Sequence, residues 1–434
     1  MRLMLTTIAT VLITLASCDD HGKSLDENAL PAAKHAGQPL LDERQGMNEP
    51  SGAETGFPGF ESPEADQHHS LEDLLVWRYE LAETSSVALP PNGVNPNPLV
   101  VGDIVVASVF TPGEIVAVAR ETGGELWNLH LQELGSSHVS FADGVLYAQT
   151  LRTLYALRPD TGEVIWKWTP YDEEGEWIYS SPTIESDRLF IGDRAGLLNC
   201  LSTKTGDLLW WAQTSEDENR QVNATAIVVD NLVITATNAA SAIAYEVDSG
   251  REVWRRNLES GSIFQIQRLR DNIVVQTWNS IYLLDPSTGE IGHQWSWPGR
   301  QVRCTTVVQD GLLAITYKEP GGDRSSPLGE EVLLGLSEDS TLFEHQSGGA
   351  MSMLRYEPTT KLVYEPRFDG LGIIDPNTGR RLHHISSKQG FYPTLPHVSE
   401  GIIYLLAGET HIDQDQNGEP SIRRVGVLLA VRHP

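Results

Sequence analysis

A short motif that recurs along the chain constrains its fold more than any other sequence feature. Two copies, at 285–289 and 375–379, keep only the turn of the motif and lead to histidine. Four fuller copies end in tryptophan: Glu121–Trp127, Thr161–Trp166, Thr205–Trp210 and Ser249–Trp254. The copies recur at intervals of about 39 to 50 residues, which is the length of one β-propeller blade.

Each repeat unit is predicted to form four short antiparallel strands. In the second unit the strands are Val139–Ala142, Val145–Ala148, Thr153–Leu157 and Val164–Trp168. Asp-Gly and Thr-Gly pairs fall between strands, where tight turns place glycine at positive φ. No intervening segment has the period of an amphipathic helix, which excludes an α/β fold. The predicted fold class is therefore all-β.

Two residue types of the motif have predicted structural roles. The glycine forms the turn between the third and fourth strands of a blade. The tryptophan lies on the outer strand, where its ring packs between neighbouring blades while its N–H finds a partner. The turn glycines are Gly123, Gly162, Gly206, Gly250, Gly289 and Gly379. The tryptophans are Trp77, Trp127, Trp166, Trp210 and Trp254.

The number of blades depends on both ends of the repeat array. Seven outer strands are predicted, and the last three lie at His293, Phe343 and His383. The run Val427–Arg432 is then a third strand without a fourth, while Leu74–Tyr79 is a strand without a blade. Pairing these two runs closes the ring and removes an exposed strand edge. We predict an eight-bladed propeller of four-stranded antiparallel blades over residues 70–434; seven blades is the alternative.

The first residues have the pattern of a bacterial secretory signal. Arg2 precedes an apolar run, Leu3–Leu15, that is too short to span a bilayer. The following Ala-Ser-Cys resembles a lipobox, which implies a signal peptide over residues 1–17 and a lipidated Cys18; an ordinary signal peptide is the alternative. Asp19 resembles an inner-membrane retention signal, so which membrane holds the anchor is left open. The expected location is the cell envelope, facing the periplasm.

Composition restricts the partners of the chain. Residues 18–69 are acidic and poor in aromatic side chains, which predicts a disordered tether. The net charge of −28 argues against nucleic acid and against electrostatic attraction to anionic lipid. Membrane contact is therefore expected through the lipid anchor only, and the propeller is expected to be monomeric. Cys200 and Cys304 fall in non-adjacent blades and are predicted to stay unpaired.

The run Tyr155–Trp166 resembles the repeat of PQQ-like propellers, and the resemblance covers about residues 70–434. It implies the propeller fold without implying one function. In one branch of that family, the quinoprotein alcohol dehydrogenases, PQQ lies over calcium and usually contacts a vicinal cysteine pair. This chain has three cysteines, none of them adjacent. We therefore predict no catalytic residue and no PQQ; a PQQ-dependent quinoprotein dehydrogenase is the alternative function.

A second branch, the BamB-like lipoproteins, consists of non-enzymatic scaffolds of outer-membrane protein assembly. The lipobox, length, blade number and terminal closure of this chain resemble that branch. Its members contact their barrel partner through a Leu-x-Leu-Arg run in the loop that enters the fourth blade. The matching stretch here, Asp217–Arg220, keeps the arginine and has polar residues in place of both leucines. The resemblance implies a scaffold with protein partners in the envelope; a different envelope propeller of unknown ligand is the alternative.

One face of the propeller is the predicted partner surface. The Thr-Gly turns lie on one face, and the connections between blades and the loops between second and third strands lie on the other. Two connections on this loop face are strongly acidic, and binding residues concentrate on loops of rigid scaffolds. Ordinary solvated loops are the alternative interpretation. The candidate partner residues are Arg220, Asp172, Glu173, Glu174, Glu176, Glu216, Asp217 and Glu218.

A loop predicted at His411–Arg424 contains a candidate weak calcium site. Asp413, Asp415 and Asn417 place oxygen ligands at alternate positions before a glycine, as calcium loops do. Arg424 stands where an EF-hand has a bidentate glutamate, so a loop that binds no metal is the alternative. No other cofactor is predicted.

Overall fold

The computed structural model describes residues 65–434 apart from 84–96, 110–112, 132–134, 171–176, 179, 216–219, 260–262, 264, 310, 319–329, 338–339, 347–352, 368, 388–390 and 415–419. The predicted signal peptide, Cys18 and Asp19 lie outside the described residues. No helix in the described part is long and apolar enough to cross a membrane.

The described residues form eight sheets whose blade strands are antiparallel, arranged as the predicted blades, which confirms the eight-bladed propeller. Before the first blade lie β1 (Gln67–Ser70), the helix α1 (Leu71–Leu74) and β2 (Leu75–Glu83). Blade 1 contains β3 (Leu99–Val101), β4 (Ile104–Val109), β5 (Glu114–Ala119) and β6 (Glu125–His130). Blade 2 contains β7 (Gly135–Ala142), β8 (Val145–Thr150), β9 (Leu154–Leu157) and β10 (Val164–Trp168). Blade 3 contains β11 (Thr183–Glu185), β12 (Arg188–Gly192), β13 (Leu197–Ser202) and β14 (Leu208–Gln213).

The remaining blades follow the same order from inner to outer strand. Blade 4 contains β15 (Ile227–Val229), β16 (Leu232–Ala236), β17 (Ser241–Glu246) and β18 (Glu252–Asn257). Blade 5 contains β19 (Gln265–Leu269), β20 (Asn272–Gln276), β21 (Ser280–Leu284) and β22 (Ile291–Ser296). Blade 6 contains β23 (Arg300–Val308), β24 (Gly311–Lys318), β25 (Glu330–Leu336) and β26 (Thr341–Gln346). Blade 7 contains β27 (Arg355–Glu357), β28 (Leu362–Arg367), β29 (Gly370–Ile374) and β30 (Arg381–Ser386). Blade 8 contains β31 (Phe391–Pro393), β32 (His397–Ser399), β33 (Ile402–Gln414) and β34 (Pro420–Arg432).

The hydrophobic core lies between blades, which explains the strand sequences. The middle strands are buried on both faces because each blade packs between two others, and β21 is buried at every residue. Such strands are continuous apolar runs rather than alternating ones. The outer strands alternate instead, and in β10 Trp166 is buried between exposed neighbours.

The predicted closure of the ring is confirmed. β2 pairs antiparallel with β34, the third strand of blade 8, and Trp77 lies opposite Ala430. The N-terminal strand therefore supplies the fourth strand of the last blade. This pairing covers the edge of β34, which an open array would leave free.

The tryptophans and turn glycines of the motif form one repeated junction. The ring of Trp127 lies on the turn of the next blade, where a Cβ added to Gly162 would be 2.6 Å from the ring. Trp127 Nε1 also donates a hydrogen bond to the carbonyl of Pro159 in that turn, at 2.9 Å. The glycine has φ of +70°, so the turn needs both its conformational freedom and its missing side chain. The same pairs occur as Trp77–Gly123, Trp166–Gly206, Trp210–Gly250 and Trp254–Gly289.

At the sixth turn glycine, Gly379, the ring on the turn is not tryptophan. Phe343 and His345 lie against this glycine, and His345 Nε2 is 2.8 Å from the carbonyl oxygen of Thr378. The turn therefore keeps its aromatic contact and its polar contact through two residues where the regular blades use one.

Cys200 and Cys304 form no disulfide bond, as predicted, and they lie in different blades. Cys200 lies on the third strand of blade 3, opposite Trp210, at the position that Ala156 occupies in blade 2. Cys304 lies on the first strand of blade 6. Burial raises the pKa of the Cys200 thiol to about 11.

Two predictions about loops and boundaries were wrong. The tether was predicted to extend to residue 69, but β1 pairs in parallel with β30 and adds a fifth strand to blade 7. The segment His411–Arg424 was predicted as a loop, but its described residues, 411–414 and 420–424, continue the ladder of β33 and β34, with Asp413 opposite Ser421. In both places backbone pairing with a strand satisfies polar groups that a free segment leaves to water.

Candidate functional site

The loop face is organised at blade 3 by the turn between β12 and β13. Asp193 in this turn is only 1% exposed. Its Oδ1 accepts a hydrogen bond from the Leu197 amide and its Oδ2 accepts one from Asn199 Nδ2, each at 2.9 Å. A buried carboxylate with two donors is fixed in place, so the turn has one defined shape.

The connection from blade 2 is attached to one side of this turn. The Arg194 amide donates to the Trp177 carbonyl at 2.9 Å, and Ile178 forms an isolated bridge with Asp193. The Arg194 guanidinium lies 5.3 Å from the centre of the Trp177 ring, within the range of a cation–π contact. An arginine and a tryptophan are thereby held together on the loop face.

The connection to blade 4 is attached to the other side. The Val222 amide donates to the Asp193 carbonyl at 3.0 Å, and the hydroxyl of Thr214 donates to the Gly196 carbonyl at 2.7 Å. Gly196 has φ of +81°, and a Cβ there would be 2.7 Å from the Arg220 carbonyl oxygen. Only glycine allows the chain at Arg220 to approach the turn this closely.

The structure thus brings Arg220 and Trp177 to the two sides of one rigid turn, which we call the blade 3 rim (Trp177, Asp193–Gly196 and Arg220). The predicted acidic residues immediately precede these two residues in the sequence. The acids themselves lie outside the described residues: Asp172, Glu173, Glu174, Glu176, Glu216, Asp217 and Glu218. Their role as a partner surface stays a prediction.

The candidate calcium site is described only at Asp413, whose backbone lies in the β33–β34 ladder. Asp415 and Asn417 lie outside the described residues. Within the described part of the chain, no group of three or more His, Cys, Asp or Glu side chains is placed to hold a metal ion.

Sequence reasoning missed a charged cluster inside blade 7. Glu365 Oε2 accepts hydrogen bonds from Arg367 Nη1 at 3.0 Å and from Arg381 Nη2 at 2.9 Å. All three side chains are buried, and Glu365 is fully so. Asp369 and His384 extend the cluster toward the loop face. The sequence signal was Glu365, a charge at a middle-strand position that is Ala107, Ala148 and Ile191 in the first three blades.

Comparisons with known proteins show sequence similarity to two kinds of protein. Residues 111–275 match a family model described as "Outer membrane protein assembly factor BamB". An assembly factor BamB of Legionella pneumophila (strain Paris) is 23% identical over 159 residues, covering 36% of this chain and 40% of that protein. The quinohemoprotein alcohol dehydrogenase ADH-IIG of Pseudomonas putida is 26% identical over 129 residues, covering 26% of this chain and 18% of the enzyme. The aligned part spans less than half the length of either relative.

Solved structures show the same fold. The crystal structure of BamB from Moraxella catarrhalis aligns with a TM-score of 0.58 and 15% identity, covering 82% of this chain and 99% of that one. The matched residues 111–275 include the whole blade 3 rim. The chain thus folds as an eight-bladed β-propeller and is similar in sequence to the outer-membrane assembly factor BamB and, over a shorter stretch, to a quinohemoprotein dehydrogenase.

Proposed function

We propose that this chain is a non-enzymatic, lipid-anchored binding propeller of the bacterial cell envelope, a BamB-like scaffold with a candidate role in outer-membrane protein assembly. Cys18 would carry the lipid, residues 18–64 would form the tether, and the propeller would face the periplasm as a monomer. Similarity to proteins named as assembly factors supports the role, and the lipobox supports the anchor.

The observation that carries the proposal is the blade 3 rim within the matched residues. Two inter-blade connections attach to one rigid turn and present Arg194, Trp177 and Arg220 beside two acidic segments. Arginine and tryptophan are enriched where protein partners bind tightly. Acids beside them would attract a basic partner over long range, which sets association rate and specificity.

The test is charge reversal of the predicted acidic surface. The variant E173K/E174K/E218K is compared with the wild-type protein in capture of envelope proteins, followed by mass spectrometry. We expect barrel-assembly components with the wild type and much less with the variant at low salt. The difference should shrink as salt rises, because screening acts within about 10 Å at 0.1 M.

A matched control reverses three exposed acids on the opposite face, as E121K/E163K/E290K. The net charge changes equally, so capture should match the wild type. Equal losses in both variants would mean a general charge effect, and no loss in either would reduce the acidic segments to solvated surface. Either result would contradict the proposed partner surface.

A quinoprotein dehydrogenase is the second candidate, favoured by the match to the enzyme from Pseudomonas putida. The residues do not fit the cofactor well: the resemblance implies a vicinal cysteine pair, and Cys200 and Cys304 lie in different blades. The measurement is alcohol-dependent dye reduction after addition of PQQ and Ca²⁺. We expect no turnover above that of the cofactor-free protein. Saturable turnover would contradict the scaffold proposal and show that the chain is an enzyme.

A further inference from the structure

The short strand β1 is attached to the outer edge of blade 7 by few contacts. Asp66 accepts two hydrogen bonds from Arg380 Nη2, at 2.6 and 2.8 Å, and both side chains are solvent-exposed. The Ser386 hydroxyl donates to the His69 carbonyl at 3.1 Å. Exposed ion pairs add about 0–1 kcal/mol, so β1 is held by its four-residue ladder with β30 and by the side chains between the two strands.

Those side chains are histidines in two cross-strand pairs. His69 Nε2 and His383 Nδ1 are 3.2 Å apart and share a hydrogen bond. The rings of His68 and His384 have centroids 5.7 Å apart. His433 follows, with its ring centroid 6.5 Å from that of His383. A hydrogen bond between two imidazoles requires one neutral ring as acceptor, so double protonation breaks it and opposes two cations.

We propose that β1 is a pH-sensitive latch, which is bound to β30 at neutral pH and released when the histidine pairs become protonated. Release exposes the outer edge of blade 7 and frees the backbone of Gln67–Ser70. Among side chains, histidine alone has an unperturbed pKa that places this change between pH 5 and 8.

The surroundings of the two β30 histidines set the direction of the effect. Burial lowers the pKa of His383, as do His69 and His433, while Asp66 opposes them. Burial also lowers the pKa of His384, as do Arg367, Arg381 and His68, while Asp369 opposes them. The neutral rings are therefore favoured while β1 is bound. Release removes part of that burial and takes the β1 rings away, so the released state binds more protons. Its population therefore rises as the pH falls below about 6.5.

The test is amide hydrogen exchange of β1 in the full-length chain between pH 7.5 and 5.5, corrected for intrinsic rates and referenced to β2. Each histidine that gains a proton on release lowers the equilibrium constant for β1 binding by up to about tenfold per pH unit, so two histidines lower it by up to about 100-fold. We expect β1 protection to fall steeply below pH 6.5 while β2 stays protected. Protection of β1 that is absent at all pH values, or that does not change with pH, would overturn the latch.

Variants assign the effect to the histidines. H69Q/H383Q keeps a neutral hydrogen-bonding pair, so we expect the slope to fall to about tenfold per pH unit or less. If the substitution in β30 prevents folding, the variant H68Q/H69Q replaces it, because both of its changes lie in β1 and outside the core. It too should reduce the dependence of β1 protection on pH. The control R380Q removes the ion pair with Asp66 but leaves the Asp66 carboxylate beside His383, so it should lower protection equally at every pH. A histidine variant that retains the wild-type slope would contradict the proposal.

Discussion

The eight junctions of the ring divide into two arcs. From blade 8 through blade 5, a tryptophan on one outer strand covers the turn glycine of the next blade and donates a hydrogen bond into that turn. At the outer strands of blades 5, 6 and 7 the same strand position holds His293, Phe343 and His383. We call these the tryptophan arc and the substituted arc.

The residue opposite this position changes together with it. In the tryptophan arc the cross-strand neighbour is small, as with Ala117 opposite Trp127 and Cys200 opposite Trp210. In blades 5 and 7 the neighbour is larger, Leu283 and Ile373, opposite histidine. The pairs in blades 5 and 7 fill a volume similar to that of the tryptophan pairs, as close packing between blades requires. Blade 6 has the smaller pair of Gly335 and Phe343, and His345 shares the contact with the next turn. The comparison teaches that different residue pairs can fill the same junction.

The substituted arc also contains the polar features that the regular blades lack. Both the buried Glu365 cluster and the histidine latch are in blade 7. The family match, by contrast, lies in blades 1 to 5. Departures from the repeat motif therefore coincide with the charged cluster and the histidine pairs of blade 7.

The largest expected effect comes from removing β2, which belongs to the tryptophan arc. Deletion of residues 75–83 removes Trp77 and bares the edge of β34. Loss of one buried tryptophan alone removes about 3–5 kcal/mol, so we expect no cooperative thermal transition. Deletion of residues 19–64 is the control and should leave Tm nearly unchanged. If the variant without residues 75–83 melted at the same temperature as the full chain, the closure of the ring by β2 would be contradicted.

A second change tests the tryptophan junction directly. G162A places a Cβ against the Trp127 ring, whereas G102A has similar positive φ and nothing within 4 Å of the new atom. We expect G102A to reduce the free energy of unfolding by about 1 kcal/mol and G162A by about 2–4 kcal/mol. Denaturant unfolding measures both. Equal losses would mean that backbone strain, not the ring contact, determines the need for glycine.

The third prediction concerns the buried charges of the substituted arc. E365Q leaves Arg367 and Arg381 without a buried carboxylate partner, and breaking such a cluster reduces stability by about 3 kcal/mol. The exposed pair of Glu163 with Arg158 is the control, and E163Q should change stability by less than about 0.5 kcal/mol. Denaturant midpoints of both variants give the comparison. An E365Q variant with the wild-type denaturant midpoint would show that the cluster adds nothing to stability.

The smallest effect separates the two thiols. Cys200 is fully buried opposite a tryptophan, while Cys304 is partly exposed. With the pKa of Cys200 raised to about 11, little thiolate forms at pH 8, and its reactivity should rise as pH increases. We expect a thiol reagent to modify native Cys304 at least about tenfold faster. Faster modification of Cys200 would mean that blade 3 opens more readily than blade 6.

Much of the fold could be predicted because the repeat is local. Turn glycines and outer-strand tryptophans follow from short spacings, and the closing strand at Trp77 follows from the incomplete blades that the repeat leaves at both ends; all were confirmed. The strand β1 could not be predicted, because Gln67–Ser70 is short and its partner lies 314 residues away at His383. The candidate site was predictable only in part: Arg220 was identified, whereas the contacts of Trp177 and Arg194 depend on where the connections lie.

By itself the sequence determined the class of the fold, the number of blades and the manner in which the ring closes. The fold class and the blade number depend on turn chemistry and strand period, which act between residues near one another in the chain. The closure followed from the incomplete blades that the repeat leaves at both ends. Only the tertiary structure decided that two connections meet at the turn of Asp193, that Glu365 bonds Arg381, and that His69 faces His383. Such contacts form because packing brings distant segments together, and their free energy is absent from any single segment.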